Sequence, residues 1–254
     1  ILDSVDLQPL EKYDYTFNGW RYNDANGEFV GEGGIPSGTT GNIVLYADWT
    51  LKPEFEGFDY VVNDEYTLPN GEKFCMLVGV EDNTVTSLEI PSVFNNIKAS
   101  VLRNCSQLQE LSLPYLGADY TENFTRNLAY LFGYGSNADA ESVIPQSLSK
   151  VTINGGVIAE NAFADLKHVK EIVLSPEVTK IGHNAFLNCT ALSELTMPMI
   201  YIDISIDDNT AYYYGIAGSN EGTIPYDENN LLTLHINGSV STGSAMFYEC
   251  YGIG

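Results

Sequence analysis

Ile181-Gly182-His183-Asn184-Ala185-Phe186-Leu187-Asn188-Cys189-Thr190-Ala191-Leu192 decides the reading of this chain, because its apolar skeleton returns elsewhere. Ala185 to Leu192 aligns without gaps with Val101 to Leu108, Ala162 to Val169 and Met246 to Ile253. The first residues of the four segments lie 61, 23 and 61 apart, so a basic period of 23 carries an extra 38 residues in alternate units. The larger unit spans 84 residues and occurs about twice. Internal repetition at such a period is the mark of stacked architectures.

Short alternating strands flank these segments: Leu88-Glu89-Ile90, Leu111-Ser112-Leu113, Val151-Thr152-Ile153, Ile172-Val173-Leu174, Leu195-Thr196-Met197 and Leu234-His235-Ile236. Each is too short to bury its own apolar face and must stack on copies of itself. The expected fold is a β-dominated α/β solenoid with a parallel sheet along one side and little helix. Pro91, Pro114, Pro176 and Pro198 follow the strands, where a missing N–H ends the ladder without wasting a bond inside it. Strand alternation then predicts two outward rows. Ser87, Glu110, Lys150, Glu171, Glu194 and Thr233 form one; Glu89, Ser112, Thr152, Val173, Thr196 and His235 form the other.

Two stretches break the period, residues 115–147 and 199–230, and are read as insertions. They align through Leu128-Ala129-Tyr130-Leu131-Phe132-Gly133 with Thr210-Ala211-Tyr212-Tyr213-Tyr214-Gly215, and through Ile144-Pro145 with Ile224-Pro225. Tyrosine provides amphipathic contact area at low entropy cost. Because Tyr130 and Tyr212 are shared, packing beneath their own loops is expected of them; the unshared Tyr120, Tyr134 and Tyr226 are the better ligand contacts.

The repeated phrase resembles the leucine-rich repeat, specifically the BspA-type subclass, in which a strand ending Ile-Pro or Leu-Pro is followed by Ile-Gly-x-x-Ala-Phe-x-x-Cys-x-x-Leu. The resemblance covers residues 58–254. Leu166 replaces the Cys, and Met246-Phe247 replaces Ala-Phe, both with apolar character kept. Glu72 to Val80 is expected to supply a capping hairpin or strand at the first edge. What the resemblance implies is a bacterial cell-surface or secreted protein adhering to a host or neighbouring-cell macromolecule.

The front of the chain reads differently. Tyr15, Phe17 and Gly19 alternate, as do Ile43, Leu45 and Ala47, which argues two strands with turns at Asn26-Gly27 and Gly33-Gly34. Phe17-Asn18-Gly19-Trp20 with Leu45-Tyr46-Ala47-Asp48-Trp49 resembles the Listeria–Bacteroides repeat, the internalin B-repeat module, which implies a small β-grasp-like domain over residues 1–52. Residues 53–57 form the junction with the solenoid.

Composition narrows the function. Eleven Lys plus Arg against 34 Asp plus Glu give a formal charge of −23 over 254 residues, which excludes a nucleic-acid binder built on a basic patch. No apolar run of about 18 residues is present to insert in a membrane. The chain starts at Ile1 and stops inside a repeated pattern, so it is expected to be a trimmed fragment whose sorting signals lie outside it. Cys105, Cys189 and Cys250 share one repeat phase, which favours buried free thiols for them and, with Cys75, over a disulfide framework.

No catalytic constellation stands out, and no enzyme, cofactor or resident metal is expected. His168, His183 and His235 are scattered, and the Gly31-Glu32-Gly33-Gly34-Ile35-Pro36 run fails the dinucleotide fingerprint at its sixth position. Asp203, Asp207 and Asp208 alternate like the start of a calcium loop, but the expected glycine and closing glutamate are missing, so a solvated loop is the plainer reading. Glu110, Glu171 and Glu194 project from one side of successive strands, an open row without the desolvated pocket that glycosidase chemistry needs. The residues expected to touch a ligand are therefore Tyr120, Tyr134, Tyr226, Glu110, Glu171, Glu194 and His235. The expected role is an extracellular, monomeric module that binds a protein or glycan. A stalk without its own ligand, or a carbohydrate-binding module using the insertion tyrosines, would fit the same residues.

Overall fold

The computed structural model describes residues 5–116, 126–181, 185–198 and 233–237. The chain divides into two units, residues 1–56 with 62–73, and residues 57–61 with 74–254.

The front unit is built on β1 (Tyr15–Tyr22) and β2 (Leu45–Leu51), paired antiparallel. Strict alternation would continue Tyr15 and Phe17 with Gly19. A register shift at Asn18, where Gly19 has φ +136°, instead passes the apolar face to Trp20 and Tyr22. That face sets Tyr15, Phe17, Trp20 and Tyr22 opposite Leu51, Trp49, Ala47 and Leu45. Phe17 meets Trp49 and Trp20 edge-on at 5.1 and 5.6 Å. The opposite face carries the Arg21–Asp48 ion pair at 3.1 Å, and Asn18 donates to Thr50 Oγ1. Both expected turns form: the Gly27 N–H donates to Asp24 O, and the Gly34 N–H to Gly31 O.

Next come β3 (Phe58–Thr67) and β4 (Lys73–Val80), then β5 (Ser87–Glu89) and β6 (Asn96–Ile97). In the solenoid unit β4 pairs in parallel with β6. Residues 72–80, read as a capping hairpin or strand at the first edge, hold β4, which lies between β3 and β6 in this smaller sheet, while β5 is the edge of the main ladder. A three-residue edge strand offers little template for foreign pairing.

The main ladder continues through β7 (Glu110–Leu113), β8 (Lys150–Ile153), then, past β9 (Gly156–Ile158), through β10 (Glu171–Leu174) and, past β11 (Val178–Ile181), through β12 (Glu194–Pro198) and β13 (Thr233–Asn237). Its order is β13-β12-β10-β8-β7-β5, all parallel, while β9 and β11 pair on a separate two-stranded sheet. Leu111, Val151, Ile172 and Leu195 stack in one inward column, and Leu113, Ile153, Leu174 and Met197 in the next; all are buried. Pro198 sits inside the last residue of β12 rather than after it, opposite Asn237.

The back of the coils corrects the repeat count. The Ser100 and Leu102 N–H groups donate to Tyr130 O and Leu131 O, and Leu128 N–H donates to Ala162 O. Phe163 and Asp165 N–H groups donate to Ala185 O and Leu187 O. The spatial order is therefore 100–102, 128–131, 162–165, 185–187, so the 3₁₀ turn Leu128–Phe132 is a coil of the solenoid inside the stretch read as an insertion. It escapes gapless alignment because Ala129-Tyr130-Leu131-Phe132-Gly133 closes early, on Gly133 at φ +87°. Tyr130 accordingly belongs to the main stack, its hydroxyl donating to Ile97 O at 3.0 Å, and Tyr115 donates to Phe94 O at 3.0 Å.

Two buried asparagines tie coils together. Asn137 accepts from Ala129 N–H at 2.8 Å and donates to Ala162 O and Ala164 O at 3.1 and 2.8 Å. Asn95 accepts from Cys75 N–H at 2.9 Å. Phe163 and Phe186 stack at 5.6 Å with parallel rings. Cys75, Cys105 and Cys189 are buried cysteines outside any disulfide; Cys189 Sγ donates to Phe163 O, and burial pushes its thiol up to about 12.

Replacing Asn137 with Ala strands the buried Ala129 N–H and Ala164 O and leaves Ala162 O only its bond from Leu128 N–H, and is expected to cost about 3 kcal/mol in denaturant unfolding. Cys189 is expected to stay unreactive toward a disulfide reagent in the native protein at about pH 8 and to react once the chain is unfolded, as thiol titration would read.

Candidate interaction surface

Because each ladder strand alternates, its first and third residues leave the core together. The register places Ser87, Glu110, Lys150, Glu171, Glu194 and Thr233 in one line, and Glu89, Ser112, Thr152, Val173, Thr196 and His235 in the next. Both rows match the order expected from sequence. Adjacent members are one strand spacing apart, about 4.8 Å.

The first row is an acidic line with one internal cation. Lys150 Nζ lies 2.7 Å from Glu171 Oε1, each side chain about one-third exposed at 37% and 33%. The Glu171 bond raises the Lys150 ammonium above its ordinary value against the opposing effect of desolvation, and the charges of Glu110 and Glu194 pull the same way as Glu171. Lys150 is thus charged throughout the neutral range. Glu110 and Glu194 are exposed, and Glu89 adds an exposed carboxylate to the second row. Between them Ser112, Thr152, Val173 and Thr196 are half-buried, with Asn154 Nδ2 donating to Ser112 Oγ at 3.0 Å. The surface is polar and negative, and supplies charge and hydrogen bonds.

Of the residues singled out from sequence, Glu110, Glu171 and Glu194 come together on this face. His235 holds the register position beside Thr196, its side chain outside the described set. Tyr134 does not join the row; it follows Gly133 in the longer coil, half-buried, its N–H donating to Ala129 O. Tyr120, Tyr226, Asp203, Asp207 and Asp208 lie outside the described residues. Among the described residues no group of three or more His, Cys, Asp or Glu is arranged to hold a metal ion. Lys150 was read as a row member only; its bond to Glu171 depends on two strands 21 residues apart being neighbours.

A family model described as the BspA type leucine rich repeat region matches residues 68–128 and 142–214 in six copies. The chain belongs to this family. The unmatched gap in the BspA-type repeats, residues 129–141, holds Asn137 and most of the longer coil's 3₁₀ turn. Among solved structures the chain is similar to a leucine rich repeat protein of T. pallidum, at 16% identity over 56% of this chain and 69% of that one, with a TM-score of 0.30. No curated protein matches it. Leucine-rich-repeat solenoids are protein-interaction scaffolds and are generally non-catalytic. Among the described residues no helix is long and apolar enough to cross a membrane.

Replacing Lys150 with Met leaves three glutamates facing one another. The variant is expected to lose less than about 1 kcal/mol, a loss that shrinks as salt is raised, in parallel denaturant titrations at low and high ionic strength.

Proposed function

We propose that this BspA-type solenoid is the recognition part of a cell-surface or secreted protein, binding an extracellular macromolecule of a host or neighbouring cell through its ladder face. The observation that carries this reading is the face itself: two uninterrupted side-chain rows on an open sheet, acidic at Glu89, Glu110 and Glu194, with Glu171 neutralised internally by Lys150. Extended solenoid faces suit large partners, and this one suits a partner that presents basic side chains. The front segment, read as a Listeria–Bacteroides-like module, serves as a spacer.

The purified chain would be tested against immobilised matrix proteins, mucin and glycans at low and physiological salt. Saturable binding is expected at physiological salt, weakened about tenfold by Glu110→Gln with Glu194→Gln. Loss of binding in a Tyr120→Ala, Tyr134→Ala, Tyr226→Ala variant, with no effect of the glutamine changes, would move the site to the stretches 115–147 and 199–230. Absence of binding to every surface would leave a stalk that displays other domains.

A further inference from the structure

His168 stands in a column set by the ladder register. Three residues before Glu110, Lys150, Glu171 and Glu194 come Gln107, Ser147, His168 and Ala191, so its counterparts in the flanking coils carry no titratable group. Leu166 and Val169 on either side of it are buried, and its own Nε2 is buried without a hydrogen-bond partner. Charged groups on its own segment are Asp165, engaged by Asn188 Nδ2 at 3.0 Å, and the exposed Lys167 and Lys170. From the turn that follows Asn137, Glu141 is the acidic group near enough to attract a proton to the ring.

A neutral imidazole tolerates this place by carrying its proton on Nδ1 and leaving Nε2 a bare acceptor. The imidazolium has N–H groups on both nitrogens, and the one on Nε2 has no acceptor. The ring lies four residues beyond Ala164, on the same turn that Asn137 clamps, through Ala162 O and Ala164 O, to the 3₁₀ coil at Ala129.

We propose that His168 is an acid-sensitive latch: its protonation opens the turn it occupies and releases the Asn137 clamp that holds residues 126–137 against that turn. Burial lowers the ring below its ordinary 6.5, with the attraction of Glu141 acting the other way. The opened turn therefore binds the proton more tightly than the closed one. The latch is at full strength above 6.5 and weakens as pH falls through that value, by at most about tenfold in the open-to-closed ratio per pH unit. Most carboxylates keep their charge in this window, which separates the effect from general acid unfolding.

Hydrogen exchange of the whole chain, read by mass spectrometry at about pH 7.5 and about pH 5.5 and corrected for intrinsic rates, tests this without any partner. Peptides over 162–169 and 126–137 are expected to exchange up to about tenfold faster at the lower pH, with β7 unchanged. His168→Gln and His168→Ala, which borrow the residues of neighbouring coils, are expected to abolish the difference. Equal protection at both pH values in the unaltered chain, a uniform loss along the chain, or a pH response that persists in both variants would overturn the latch. None of these outcomes bears on whether the ladder face binds a partner, which the immobilised panel decides separately.

Discussion

A ladder strand of three to five residues directs one or two side chains inward, and these cannot offset the entropy of ordering a coil of 21 to 40 residues. Every coil here therefore depends on the coil before and after it. Leu111, Val151, Ile172 and Leu195 are buried because they lie on one another, and the rows of Glu110, Lys150, Glu171 and Glu194 are aligned for the same reason. Core and interaction face are two consequences of one register, since a slip by one residue would exchange them.

The back of the solenoid has no such strict ladder and tolerates coils of different length. What restores order there is polar. Asn137 satisfies an N–H of its own longer coil, Ala129, and two carbonyls of the next, Ala162 and Ala164, and Asn95 accepts from Cys75 N–H. A buried amide is costly unless all its partners are in place, so it fixes one arrangement where apolar packing would accept several. The acid sensitivity argued for His168 follows from the same condition: its Nε2 lacks the acceptor that Asn137 has found for its own amide.

Electrostatics on the ladder face are moderated from within. With an overall charge of −23, an unbroken glutamate row would repel itself strongly at one-strand spacing. Lys150 relieves this between Glu110 and Glu171 and leaves Glu194 and Glu89 open to solvent. The result is a negative surface that is not dominated by its own repulsion.

The sequence by itself determined the solenoid, its parallel ladder and both outward rows. Period-2 alternation in Leu111-Ser112-Leu113 or Ile172-Val173-Leu174 is a local property, and a constant repeat phase carries it from coil to coil. It also placed Cys105 and Cys189 in the core. Tertiary structure alone decided that Leu128–Phe132 is a coil, because that is settled by the carbonyls of Tyr130 and Leu131 meeting N–H groups nearly thirty residues away rather than by side-chain identity. It alone decided which asparagines are buried, since Asn137 and the exposed Asn154 look alike in sequence, and only the distance to Ala162 and Ala164 distinguishes them. The bulge at Asn18, which hands the aromatic face from Gly19 to Trp20, was hidden for a related reason: alternation predicts a regular strand, and a bulge is a departure settled by pairing across to β2.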